Sequence, residues 1–259
     1  MNQAYPLMRL FYTTFFSLVI LFAVSSCGTE KDEFASPKMS DYLPMQVGKY
    51  IIYRMDSTVF TNLNTVIEVH KYQVKHEIAS VTTDNLNRTT YVVNRSLRNE
   101  DGTSGWQANG NYTVVTADDQ TEVVDDNLRV LKLHIPLREG FSWKGNRHLP
   151  LKPYKNMFTF SADNDMQSWD FYYDSFGDFS YEDNNYQDVL TVEKIDESDN
   201  LPIEPSTTIA SRIRSVDRYA YNIGLVFKEY TMWEYQNNPS APNPTYTGFG
   251  VTMWMIEHN

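Results

Sequence analysis

From Lys49 to the C-terminus, apolar positions come in short runs rich in Val, Ile, Thr and Tyr, separated by clusters of Asn, Asp, Gly and Pro. β-Branched and aromatic side chains fit a pleated, half-buried surface and the intervening residues supply reversals, so the pattern predicts strands joined by hairpins. Strands are predicted at Lys49–Phe60, Thr65–Ile78, Thr89–Leu97, Tyr112–Thr116, Arg129–Ile135, Trp169–Tyr173, Asp188–Ile195, Ile209–Tyr219, Leu225–Tyr235 and Gly250–Glu257. Successive side chains of a strand point to opposite faces. In Asp188–Ile195 both faces carry apolar residues, Val189 and Ile195 against Leu190 and Val192, and in Leu225–Tyr235 neither face is purely polar. This suits a curved sheet whose concave side is partly filled and whose convex side packs on something else.

Tyr219-Ala220-Tyr221-Asn222-Ile223-Gly224 places Asn and Gly where a tight reversal wants positive φ, predicting a hairpin with one helical turn at its tip. Asp118-Asp119-Gln120 and Asp125-Asp126-Asn127 mark further turns. The Pro-, Gly- and base-rich stretch 136–165 predicts the longest excursion from the sheet. No amphipathic helix of four turns and no fixed-period repeat is visible after residue 27. The predicted fold is all-β, mainly antiparallel: one curved sheet forming an incomplete or half barrel, with few short helices, in a single domain over residues 41–259.

Ahead of that domain, Leu10 to Val24 is an apolar run preceded by one basic residue, Arg9. It is too short for a comfortable bilayer span and matches the core of a signal peptide, residues 1–26. The run ends in Val24-Ser25-Ser26-Cys27, which resembles the lipobox cut by lipoprotein signal peptidase. Cys27 is the only cysteine in the chain. It is the expected lipidation site, and residues 27–40 are the expected flexible tether.

Charge narrows the partners. The formal charge is −11, and it becomes −12 once Arg9 is removed with the signal peptide. Such a surface repels phosphate backbones and carries no basic stripe, which excludes nucleic acid as a partner class. Membrane association must then come through the N-terminal lipid, not a polybasic patch. With one cysteine there is no internal disulfide, so stability rests on a core. The 41% apolar and 14% aromatic content is enough to build one.

Three stretches, Asp41 to Tyr50 (DYLPMQVGKY), Ile135 to Trp143 (IPLREGFSW) and Tyr219 to Tyr230 (YAYNIGLVFKEY), together resemble outer-membrane and cell-surface lipoproteins of Bacteroidota whose activity is uncharacterised. The shared motifs are packing and turn motifs, so the resemblance implies lineage and architecture and no activity. Lys31, Asp32 and Glu33, close behind Cys27, look like the surface-export signal of such lipoproteins, which implies an outer-membrane, surface-exposed location. Asp56-Ser57-Thr58 resembles that phylum's short O-glycosylation acceptor and equally fits the middle of a strand.

No motif carries recognisable chemistry. His70 and His76 share a strand face but stand about 20 Å apart, too far to share a metal. Asp163-Asn164-Asp165 lacks the following glycine and terminal glutamate of an EF-hand loop, Asp163, Asp165 and Asp170 read as a polar loop ahead of a structural metal site, and GxSxG, GxGxxG and GxxxxGK[ST] are absent, so neither metal nor cofactor is expected. The acidic aromatic segment 171–186 (FYYDSFGDFSYEDNNY) could hold a carboxylate pair among Asp174, Asp178, Glu182 and Asp183 for a hydrolase, or lie as a solvated turn. Its aromatics also suit sugar rings, and Tyr172, Phe176, Tyr181 and Trp233 are the candidate ligand-binding residues, with core packing as their alternative role. Three functions follow: a non-catalytic binding module for an apolar or amphipathic ligand such as a lipid, a surface glycan- or protein-binding module, and a carboxylate-dependent hydrolase.

Overall fold

The computed structural model describes residues 37–160 and 165–259. Cys27, Lys31, Asp32, Glu33 and Asp163 lie outside the described residues. The first element, helix α1 at Met39–Tyr42, is held by the Asp41 carboxylate accepting the Lys38 N–H at 2.8 Å. Met39 and Tyr42 pack into the main hydrophobic core.

Twelve strands follow: β1 (Tyr50–Thr61), β2 (Val66–Thr83), β3 (Thr89–Asn99), β4 (Gln107–Thr116), β5 (Gln120–Asp125), β6 (Leu128–His134), β7 (Ser142–Lys144), β8 (Asp170–Tyr181), β9 (Asn184–Asp199), β10 (Ile209–Ala220), β11 (Gly224–Gln236) and β12 (Thr245–His258). They form one antiparallel sheet in the order β6-β5-β4-β3-β2-β1-β12-β11-β10-β9-β8-β7. Two sequential meanders are thus joined by pairing the first strand with the last. The sheet curls until its edges meet: Leu131 N–H on β6 donates to Gly145 O just past β7 at 2.8 Å, and the Trp143 indole donates to Leu131 O at 3.1 Å. Gly145 belongs at this seam because a Cβ there would fall 2.2 Å from the ring of fully buried Phe171. The result is a nearly closed barrel with one seam, all-β and antiparallel as the strand pattern led one to expect.

Where structure and pattern part, the reasons are local. Strand β5 carries charge between two acidic turns, and β7 has three residues, so neither shows a strand signature. The acidic aromatic segment is not a solvated turn: it is the β8–β9 hairpin, with only Glu182–Asp183 as its turn. The tip between β10 and β11 forms no helical turn; Ile223 N–H bonds Ala220 O at 3.1 Å, with Asn222 at φ 59° and Gly224 at φ 117°.

The main core gathers Tyr42, Leu131, Leu133, Trp143, Phe171, Tyr173, Leu190 and Val192 beneath the seam. Each such side chain contributes about 1.5–3 kcal/mol on burial. The tip of the β8–β9 hairpin folds onto the outer face, where Arg218 lies 4.1 Å over the Phe179 ring.

Candidate functional site

Cross-strand partners project from the same face, so register shows which residues share the barrel interior. Met55 pairs with Met253, Met253 with Lys228, Lys228 with Asp217, Asp217 with Val192 and Val192 with Tyr173. On the other meander His76 pairs with Arg95, Val93 with Tyr112, Val114 with Val123 and Val123 with Val130. Contacts across the interior agree: Lys132 Nζ on β6 reaches Asp217 Oδ2 on β10 at 2.9 Å.

Part of this interior-facing set is less closely packed than the core beneath the seam. His76, Arg95, Leu97, Tyr112, Val123, Val130, Lys228 and Tyr230 are only half-buried although the sheet surrounds them. Desolvation first, then the charges of Arg95 and Lys228, push His76 down to about 3, and desolvation raises the Tyr112 hydroxyl well above its ordinary value. Along the seam the interior is closed by the packed core.

Its polar centre is Asp217, fully buried on β10. Asp217 Oδ2 accepts Lys194 Nζ at 2.6 Å, Lys132 Nζ at 2.9 Å and the Tyr219 hydroxyl at 3.2 Å. Burial alone would raise this carboxyl; the ammonium groups of Lys132, Lys194 and Lys228 outweigh it and hold it well below the carboxylate range. Burial likewise disfavours charge on Lys132, which Asp217 more than restores, whereas Lys194 stays well below its ordinary value despite Asp217. Both lysines sit at β-bulges. Thr121 and Glu122 face Leu133 and Leu131, leaving Lys132 as the extra residue, and Ser215 and Val216 face Ile195 and Glu193, leaving Lys194 as the extra one.

The long excursion between β7 and β8 lies against this interior. The Tyr154 and Tyr230 hydroxyls are 3.1 Å apart, and Tyr154 and Phe158 pack on Phe249. A cavity of about 120 Å³ lies between the excursion and Met232 of β11.

The four aromatics predicted to bind are not brought together. Tyr181 packs on the outer face between Phe227 and Trp254, at 4.8 and 5.2 Å between ring centroids. Tyr172 pairs with Glu193, whose carboxylate binds Arg214, and Phe176 meets Tyr42 edge-on at 6.1 Å. Trp233 lines an outer groove of about 370 Å³ with Phe60, Ile67, Leu201, Ile203 and Tyr246, where Phe60 and Tyr246 stack at 5.1 Å. Asp174, Asp178, Glu182 and Asp183 are all exposed along the hairpin. Ser57 lies mid-strand, paired on both sides. Among the described residues no group of three His, Cys, Asp or Glu could hold a metal ion.

Sequence reading missed Asp217, Lys228 and the two bulge lysines. One signal was present: alternation puts Asp217 in line with Ile213 and Tyr219, a charge on an otherwise packed face.

No protein-family profile matches the chain, and no curated protein matches it. Among solved structures it is similar to one from Bacteroides fragilis described as an exported protein with a YmcC-like fold (10% identity, TM-score 0.39, covering 83% of this chain and 99% of that one). It is also similar to one from Parabacteroides distasonis described as a lipoprotein (12% identity, TM-score 0.38, covering 84% and 98%). A domain from Vibrio parahaemolyticus described as an outer membrane lipoprotein-sorting protein is more distant (11% identity, TM-score 0.17, covering 82% and 85%). Likeness at this distance brings neither a ligand nor an activity to the present chain.

Proposed function

We propose that this protein is a non-catalytic binding module, anchored outside the cytoplasm through a lipid on Cys27, that takes an apolar or amphipathic ligand into its barrel lumen. The observation that carries this is the set of lumen-facing side chains that are enclosed by the sheet and still half-accessible. Leu97, Val123, Val130 and Phe249 give that space apolar walls, the lining expected of a small-molecule site. The outer-membrane, surface-exposed location belongs to the same proposal and rests on the residues around Cys27.

The Trp233 groove supports a second reading, a glycan- or protein-binding surface, because stacked aromatics on an open face suit flat ligands. One titration separates the two. The mature chain should bind the neutral apolar fluorophore N-phenyl-1-naphthylamine with enhanced, blue-shifted emission. Leu97→Trp, which fills lumen space, should weaken binding at least tenfold, and Trp233→Ala should leave it unchanged. The opposite pattern would move the site to the outer groove, and no binding at all would overturn the lumen reading.

A further inference from the structure

The lumen of a strongly acidic protein is basic. Arg95, Lys132, Lys194 and Lys228 face it against two carboxylates, Asp125 and Asp217. Arg95 is matched by Asp125 at 2.8 Å, and Lys132 and Lys194 share Asp217. Lys228 is left over. It stands directly across from Asp217 in the β10–β11 register, yet among the described residues no carboxylate lies within ion-pairing distance of its ammonium. The residue is half-buried. Asp217 and Asp125 offset part of its charge from a distance, but an ammonium facing a walled-in cavity without a direct ion pair is costly unless an anion arrives to pair with it. Two strand positions along β11, Tyr230 begins the aromatic wall it forms with Tyr154 and Phe249. An ammonium beside an apolar wall fits a molecule with an anionic end and an apolar body.

Resting on the lumen-binding reading, we infer that the preferred ligand is an amphiphile with an anionic headgroup, carboxylate or phosphate, and that Lys228 is the residue that receives the headgroup. Consistent with this, desolvation first and then Lys132 push the Lys228 ammonium below its ordinary value, an unfavourable balance that a bound anion reverses.

The test is competition against N-phenyl-1-naphthylamine on the mature chain with four amphiphiles of one chain length: dodecanoate, dodecyl phosphate, dodecanol and dodecylamine. The wild type should prefer at least one of the two anions to dodecanol by tenfold or more, with dodecylamine weakest; which anion leads identifies the headgroup. Lys228→Met should abolish that preference while dodecanol binding stays within twofold, which also shows the fold intact, and Lys228→Arg should restore most of it. Equal affinities for anions and dodecanol in the wild type would overturn this inference and leave the lumen reading standing. Anion preference unchanged in Lys228→Met would overturn the role of Lys228. Failure of fluorophore and all four amphiphiles to bind would overturn both readings.

Discussion

Replacing Asp217 with leucine is expected to destabilise the protein by about 3–5 kcal/mol, because removing one partner of a buried ion pair leaves the other charge uncompensated. Here two ammonium groups lose their partner at once, Lys194 at 2.6 Å and Lys132 at 2.9 Å, and the Tyr219 hydroxyl loses its acceptor. Lys194 is the more deeply buried of the two and cannot turn to water. Adding Lys194→Met to Asp217→Leu should therefore recover more than half the loss, since a neutral side chain needs no counter-charge. Urea unfolding of the single and double variants measures both effects. A single variant within about 1 kcal/mol of wild type would mean that the lysines find other partners and the cluster is not a closed unit.

The second large effect is on the acid side of neutrality. The folded protein holds His76 near 3 against an ordinary 6.5, through desolvation first and then the facing charges of Arg95 on β3 and Lys228 on β11. The ring also touches Tyr53 edge-on at 5.2 Å and contacts the Tyr112 hydroxyl at 3.1 Å. A depressed folded pKa favours the neutral ring, so its contribution is fully present above the unfolded value. As pH falls from about 6.5 toward 3 the unfolded chain takes a proton the folded one refuses, and the contribution is lost by at most about 1.4 kcal/mol per pH unit. Because the ring keeps some accessible surface, the observed slope should lie below that ceiling. Between pH 7 and 4.5, wild type should lose about 1 kcal/mol or more beyond what His76→Gln loses. Asp217 does not contribute in this window, since a depressed carboxyl loses its stabilising effect only below its unfolded value near 3.9. Equal losses in the two proteins would show that His76 is freely hydrated.

These two effects come from contacts between strands far apart in sequence, which alternation within one strand does not reveal. Alternation in Asp188–Ile195 and Leu225–Tyr235, with aromatics and turn residues elsewhere, was enough to predict an antiparallel curved sheet, because one-dimensional periodicity records local geometry directly. The turns at Asp118–Gln120 and Asp125–Asn127 were equally plain, though the short charged strand between them was not. Closure was hidden: the seam joins Leu131 to Gly145 through backbone atoms, and Gly145 matters for the ring that passes it. The polar cluster was hidden for a different reason: alternation puts Lys132 in line with Val130 and Lys194 in line with Val192, but it cannot show that β6 and β10 meet across the closed sheet at Asp217. Conversely, the aromatic richness of 171–186 suggested a binding surface, yet Phe179 and Tyr181 fold back onto Phe227 and Trp254 as outer-face packing. Composition alone cannot separate an aromatic that stacks on a ligand from one that stacks on its own sheet.

The most direct test of the central claim is the native mass of the mature protein, purified under gentle conditions after export, beside its Leu97→Trp variant. The lumen account predicts a non-covalent mass excess of lipid size on the wild-type chain that disappears when the lumen is filled. A bare polypeptide mass for both proteins, with only the covalent lipid at Cys27, would contradict it.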